Sequence, residues 1–545
     1  MPLRNATPLT FRWRTLSDAL DSTNVGRGAA ASLQNLIPSL HTRGLFVLRP
    51  ACIQVASFSG RVESAFVSGA RIYGMVTSGT FTGHSEPFCW DTSISSLVAI
   101  SGVTSANTPV STSASGDWVP PTIAQVGPRF IYTHPGFPGG ATKFGWVDAS
   151  NPASPAWSAG DLATNPLVAV PQAVAEFFGR AYYAVGNALA FSDVGNPLQA
   201  SGASGVQVLG MGNGLTITAL AGLPLATTTG GITQALIAFQ GASAIQQITG
   251  DPTTSNLAVN QLSNETGTLA PLSIASSPYG LFFLAHDGLR RIDPLGIIQE
   301  PIGTDGKGVQ SPFVNIVTPT RAAAAYQEDV YRVTIQTAIS GTLGSFDYWY
   351  HPTIKDQGNP EGTWSGPHTF PYGVIAASAT DQSFYLFPPA GTPPGIWQSE
   401  VMARANSTYA ENGVPLTFIA TSCLMPDTGA MAMNFMVESS LLLALPAGNA
   451  LTVQALDETG VMLAPTVMIQ GYGGTGAAIW GQAVWGQARW GTESGALVQR
   501  TIPWSQPLVF KQMQMLFAGQ STVPVAIGNL YLRYQRTGYM SSPGL

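Results

Sequence analysis

The chain has 545 residues, enough for about three or four ordinary domains or for one large repeat body with appendages. Only 10% of its residues are charged, while 60 Gly and 40 Pro make it rich in turns; the 45% of hydrophobic residues, with 24 Phe, 16 Tyr and 12 Trp, argue against disorder. Residues 1–50 carry six Arg and two Asp, residues 51–410 carry 12 bases and 21 acids, and residues 411–545 carry five bases and six acids, so the body is acidic and tight gripping of nucleic-acid phosphates is disfavoured.

The N-terminus, MPLRNATPLTFRWRTLSD, has no apolar stretch of the kind that leads a secretion signal, so the protein is expected to be made and kept in a cytoplasm. Residues 1–50 read as a docking arm. Arg4, Arg12, Arg14, Arg27, Arg43 and Arg49 are interleaved with Phe11, Trp13 and Leu16, a mixture that suits a packed protein contact better than a polybasic nucleic-acid tail. Deleting residues 1–30 is then expected to abolish attachment and leave the monomer folded. Ala30–Leu36, with Pro38 as a stop, and Ala322–Tyr326 are the short helices the pattern allows.

Elsewhere Gly or Pro interrupts helical spacing, and the chain reads as all-β. A short aromatic strand recurs after Gly69, Gly127, Gly179, Gly231, Gly280, Glu328 and Asp381, at intervals of 48 to 58 residues. Seven starts at that spacing predict a β-propeller of about seven blades over residues 51–410. The stretch from Leu45 to Phe58 is expected to pair with the last blade and close the ring. From residue 411 to 545 the rhythm changes to alternating apolar segments, at 414–420, 431–438, 451–456, 461–470, 508–517 and 525–534, which predict an antiparallel β-sandwich-like C-terminal domain. Within it Trp480, Trp485 and Trp490 recur every five residues. That period matches neither a strand face nor a helix face, so they are placed on tandem turns.

Catalytic and cofactor signals are weak. Gly471, Gly473 and Gly476 satisfy GxGxxG, with Glu493 following, but no helical pattern succeeds them to hold a pyrophosphate. The six histidines show no metal-ligand spacing, no GxSxG elbow is present, and Cys52, Cys89 and Cys423 are read as buried thiols. Two stretches, at Ser192–Gly195 and at 356–358 leading to Trp364, approach the Asp-box turn of sialidases without its full order. No catalytic residue, cofactor or metal site is assigned. The most apolar run, 441–446, is too short to span a membrane. Only four basic residues are Lys, which fits surfaces covered by partners and equally fits a high-GC coding sequence.

The blade FFGRAYYAVGNALAFSDVGNP (177–197) resembles the tail nozzle proteins of short-tailed bacteriophages, the tail tubular protein B-like or tail accessory proteins. Asn35, the Arg49-Pro50 pair, the hairpin HDGLRRID (286–293), QEDVYRVTI followed by DYWYHP (347–352), and the Trp-Gly repeat extend the likeness over most of the chain. The resemblance implies a non-enzymatic virion protein in the distal part of a short tail, assembled in the host cytoplasm. Six copies would form a homo-hexameric ring that meets the head-to-tail adaptor ring and extends the channel for genomic DNA, passed without tight binding. Propellers would project outward to dock tail fibres or spikes, while the two chain ends build a platform around the channel. Arg4, Arg12, Arg14, Arg27, Trp480, Trp485 and Trp490 are the interface candidates. The alternative is a propeller-fold glycan hydrolase or sugar-binding protein. A third reading is a monomeric propeller scaffold.

Overall fold

The computed structural model describes residues 7–17, 29–39, 42, 44–57, 60–77, 80–111, 118–201, 208–226, 232–252, 256–303, 308–339, 342–355, 362–389, 395–402, 407–425, 432–471 and 497–539. Among them the protein is almost entirely antiparallel β, with helix confined to the single turn Ser311–Val314 and short 3-10 turns.

Six sheets of three or four strands stand alone as blades. Five follow one another in the chain, over residues 61–98, 122–160, 173–210, 219–263 and 275–292; the sixth combines residues 374–400 with Ile53–Ala56. The seven recurring sequence starts locate one feature in each unit, the hairpin between its first and second strands. There the chain takes left-handed turns, at Phe178 (φ 49°) and Gly179 (φ 70°), at Glu328 (φ 46°) and Asp329 (φ 62°), and at Gln382 (φ 53°). Such turns match the twist of the strands they join, which is why the signal repeats. Gly231 lies outside the described residues.

The propeller is the one expected; six blades are free-standing, against about seven predicted, because one unit does not stand alone. Residues 323–368 place their first strand, Ala323–Gln327, between those of the neighbouring blades. Their outer strand, Thr363–His368, is then continued by Ala30–Gln34, Val414–Ser422, Met513–Ser521, Ala450–Asp457 and Val467–Gln470 into a ten-stranded sheet. Propeller and sandwich therefore share one hydrogen-bonded sheet. Of the stretch from Leu45 to Phe58 expected to close the ring, only Ile53–Ala56 does so, pairing with Ile396–Glu400, while Phe46–Leu48 joins the sandwich instead. Separate apolar clusters fill the gaps between blades, for example Phe144 and Tyr183 in one and Phe239 and Phe283 in another. The largest cluster runs from Phe282 and Tyr331 of the propeller into Phe418, Leu451 and Phe517 of the sandwich without a break.

The second sandwich sheet carries both chain ends. Its order is Leu36–Pro38, Phe46–Leu48, Ala526–Tyr539, Ala432–Ala444, Val498–Thr501, and Thr7–Phe11 also pairs with Ala526–Tyr539. Residues 7–17 are thus part of the sandwich core. Phe11, Trp13 and Leu16 are buried, the Trp13 indole donates to the Gly528 carbonyl at 2.7 Å, and the Leu16 amide donates to the Trp364 carbonyl at 3.0 Å. A chain lacking residues 1–30 would lose these groups, contrary to the expectation that it stays folded.

Neither predicted helix forms. Ala30, Leu33 and Leu36 have helical spacing, but Asn35 is left-handed (φ 56°) and turns the chain from one sandwich sheet to the other, so Ala30–Gln34 and Leu36–Pro38 are strands of different sheets. Ala323–Gln327 is also a strand, paired with Val330–Ile339 across the Glu328-Asp329 turn; the pairing overrides the helical preference of its alanines.

Candidate functional site

The junction between propeller and sandwich is built on polar residues that the fold removes from water. Asn35, at the corner between the sheets, donates from its side chain to Thr369 Oγ1 at 2.8 Å and to the Thr417 carbonyl at 2.7 Å. Its own Oδ1 accepts from Arg49 Nε at 2.8 Å. Arg49 is fully buried, and its guanidinium reaches the carboxylate of Glu411 at 2.7 Å. Burial alone would lower the pKa of Arg49, but the Glu411 carboxylate outweighs it and the net shift is upward. The Arg-Pro pair and Asn35 singled out in the sequence therefore meet at one joint, where they connect the N-terminal strands, the propeller and the sandwich. Glu411 was not among the candidates, since nothing in its local sequence marks it.

Next to this joint lies a second buried pair, Arg332 with Asp347, at 2.8 Å and with both side chains inaccessible to water. Cys52 and Cys89 are buried, and burial pushes each thiol up to about 11, so neither is poised as a nucleophile. Cys423 is only partly buried. No group of three or more His, Cys, Asp or Glu side chains able to hold a metal occurs among the described residues.

His368 and His351 are buried beside the same joint. His368 Nδ1 accepts the Asn35 amide at 3.0 Å, so that nitrogen must be unprotonated. Burial first, then the charges of Arg49, Arg332 and His351, hold His368 well below its ordinary value, and burial alone takes His351 to about 3. Both histidines bind protons more readily in the unfolded chain. Stability is then complete above the unfolded value near 6.5 and is lost as pH falls toward the folded values. At about pH 5 His351 is expected to cost about 2 kcal/mol relative to neutral pH, and His368 acts in the same direction. Urea unfolding at the two pH values checks this, and His351→Leu should lose less stability on acidification than the parent chain.

The sandwich also presents a broad uncharged surface. On the side away from the core, positions 415–421, 450–456 and 514–520 show Thr417, Thr452, Gln454, Leu516, Ala518 and Gln520, with no acid or base at the outward positions. An open groove of about 660 Å3 runs between Thr417, Thr452 and Gln520. Arg12 is exposed and Arg14 partly buried at the edge of the same domain. Arg4, Arg27, Arg43, Trp480, Trp485, Trp490, Gly473, Gly476 and Glu493 lie outside the described residues. Of the Asp-box-like stretches, Asp193 accepts hydrogen bonds from Ser201 and serves a turn of its own blade, while residues 356–358 are outside the described set.

Taken together, these elements define a β-propeller joined through a shared sheet to a β-sandwich. No family model and no curated protein matches the chain. Among solved structures, a Bacteroides ovatus xyloglucan-locus GH43B protein is 11% identical with a TM-score of 0.29, covering 89% of this chain and all of that one. A puromycin hydrolase is 11% identical with a TM-score of 0.35, covering 67% of this chain and 59% of that one. AofleA from Arthrobotrys oligospora is 12% identical with a TM-score of 0.30, covering 66% and 93%. Likeness at this level carries nothing about activity, and the propeller rests on its own sheets. No helix among the described residues is long and apolar enough to cross a membrane.

Proposed function

We propose that the chain is a structural virion protein, a tail nozzle of a short-tailed phage. Six copies form a ring below the head-to-tail adaptor, continue the DNA channel and hold fibres or spikes on their propellers. The observation that carries this reading is the pairing of Thr7–Phe11 with Ala526–Tyr539. Both chain ends enter one sandwich, and that sandwich is hydrogen-bonded into the propeller, which suits a platform that bears load while the propeller points elsewhere. The uncharged outward face supplies a surface for a neighbouring copy at low desolvation cost, because no ion must be stripped of water there.

Light scattering on the purified protein, alone and with adaptor rings, tests the assembly. The expected particle has six times the 57.0 kDa chain mass, and images of virion tails should place the chain at the distal end. Ala518→Asp puts a charge in the middle of the uncharged face and is expected to dissolve the ring while each monomer keeps its fold. A monomer under every condition, with no copy found in tails, would overturn the reading.

A further inference from the structure

At one end of the propeller ring, three consecutive first strands begin close together: Arg61–Ser68, Ala323–Gln327 with Arg321 just before it, and Val374–Ser378. Two guanidinium groups meet one indole there. Arg321 lies 4.9 Å and Arg61 5.4 Å from the ring centre of Trp118, which is itself buried. The cluster contains one carboxylate, Glu63, and that group is already committed. It accepts from Ser111 at 2.9 Å, from the Trp118 indole at 3.3 Å and from Ser85, and it pairs with Arg61 at 3.1 Å. Burial alone would raise Glu63, yet the hydroxyl donors hold it below the ordinary range, so it stays ionised. Arg61 Nε is buried with no acceptor among the described residues, and no carboxylate pairs with Arg321 among them. Two cations against one anion leave the cluster with a surplus of one positive charge. Burial and the repulsion of Arg61 both weaken the hold of Arg321 on its proton, so an added anion would relieve it.

We infer that Arg61, Trp118 and Arg321 form a binding site for a single carboxylate group. The partly enclosed space they line, with Gln336 and Tyr372, holds about 20 Å3, room for one small planar group and not for a sugar ring. A monoanion neutralises the surplus charge, whereas a phosphate dianion would reverse it. Guanidinium groups held over an aromatic face offer the fixed donors that a carboxylate fits in two-point contact.

The test is residue-specific labelling of arginine with phenylglyoxal on the full chain, mapped by peptide mass spectrometry, with acetate as the probe and exposed Arg12 as the control. Acetate in the tens of millimolar is expected to slow labelling of Arg321 at least about threefold and to leave Arg12 unchanged, as a site of millimolar affinity requires. Acetate is also expected to slow labelling of Arg61, an effect that Arg321→Gln should remove. Sodium chloride at equal ionic strength should protect neither. Equal protection by chloride, stronger protection by phosphate than by acetate, or no protection at all would overturn the proposal.

Discussion

Replacing Asp347 with alanine is expected to lower the unfolding free energy by about 3–5 kcal/mol, because it strands a fully buried guanidinium without its counter-charge. Arg332 Nε donates to the Asp347 carboxylate at 3.0 Å and Nη1 to Ser399 Oγ at 2.8 Å. The same carboxylate accepts from the Trp349 indole at 3.0 Å and from the Tyr372 hydroxyl at 2.8 Å. The guanidinium carbon lies 4.7 Å from the ring centre of Trp349 and 5.1 Å from that of Tyr372. Arg332 belongs to the unit fused with the sandwich, and Ser399 to the blade that closes the ring. The pair therefore bolts the closing blade to the shared sheet. Urea unfolding followed by tryptophan fluorescence measures the loss. Asp347→Asn, which keeps one acceptor oxygen but neither the second acceptor nor the charge, should lose less than the alanine change, and the double change Arg332→Met with Asp347→Leu should recover much of the deficit. If Asp347→Ala unfolds within about 1 kcal/mol of the parent, the pair contributes only what a surface ion pair does.

Trp13→Ala is expected to cost about 3–5 kcal/mol through the cavity it leaves, with the orphaned Gly528 carbonyl adding to it. The indole packs edge-on against Phe11 at 4.9 Å and Phe517 at 5.9 Å, one from each sandwich sheet, so its removal loosens the contact between the two layers. Trp13→Phe should retain most of the packing and lose mainly the hydrogen bond. Deleting residues 1–17 should go further and leave a chain whose sandwich fails to fold, seen as loss of solubility and of a cooperative urea transition. A soluble, cooperatively folding truncated chain would mean that the first strand is an accessory to the sandwich.

The propeller was legible because each unit repeats the same local problem. A left-handed hairpin must join two buried strands, and only a short list of residues turns that way, so Gly69, Gly127, Gly179 and Gly280 recur at near-constant spacing. The closing strand was legible for a related reason, since an apolar stretch ahead of the first blade has one open edge to satisfy. The sandwich strands from residue 411 onward also follow their alternating apolar pattern, and the strand seen as 461–470 is shorter, at Val467–Gln470.

The corner at Asn35 was not legible. Spacing of three between Ala30, Leu33 and Leu36 is what a helix shows, and only pairing with two different sheets reveals that these residues belong to two strands. Nor could the partners of buried charges be read, because Arg49 and Glu411, 362 residues apart, come together only when the ring closes over the sandwich. The Arg61, Trp118 and Arg321 cluster escaped for the same reason, its three members lying on segments separated by tens to hundreds of residues.

Turn chemistry and apolar alternation, both local, settled that the described residues are almost entirely β and that the units repeat. Tertiary contact alone decided that one unit gives up its free edge to the sandwich, that the first strand joins the last, and which ions are buried together. Those outcomes depend on long-range pairing and on desolvation, and neither leaves a mark on neighbouring residues in the chain.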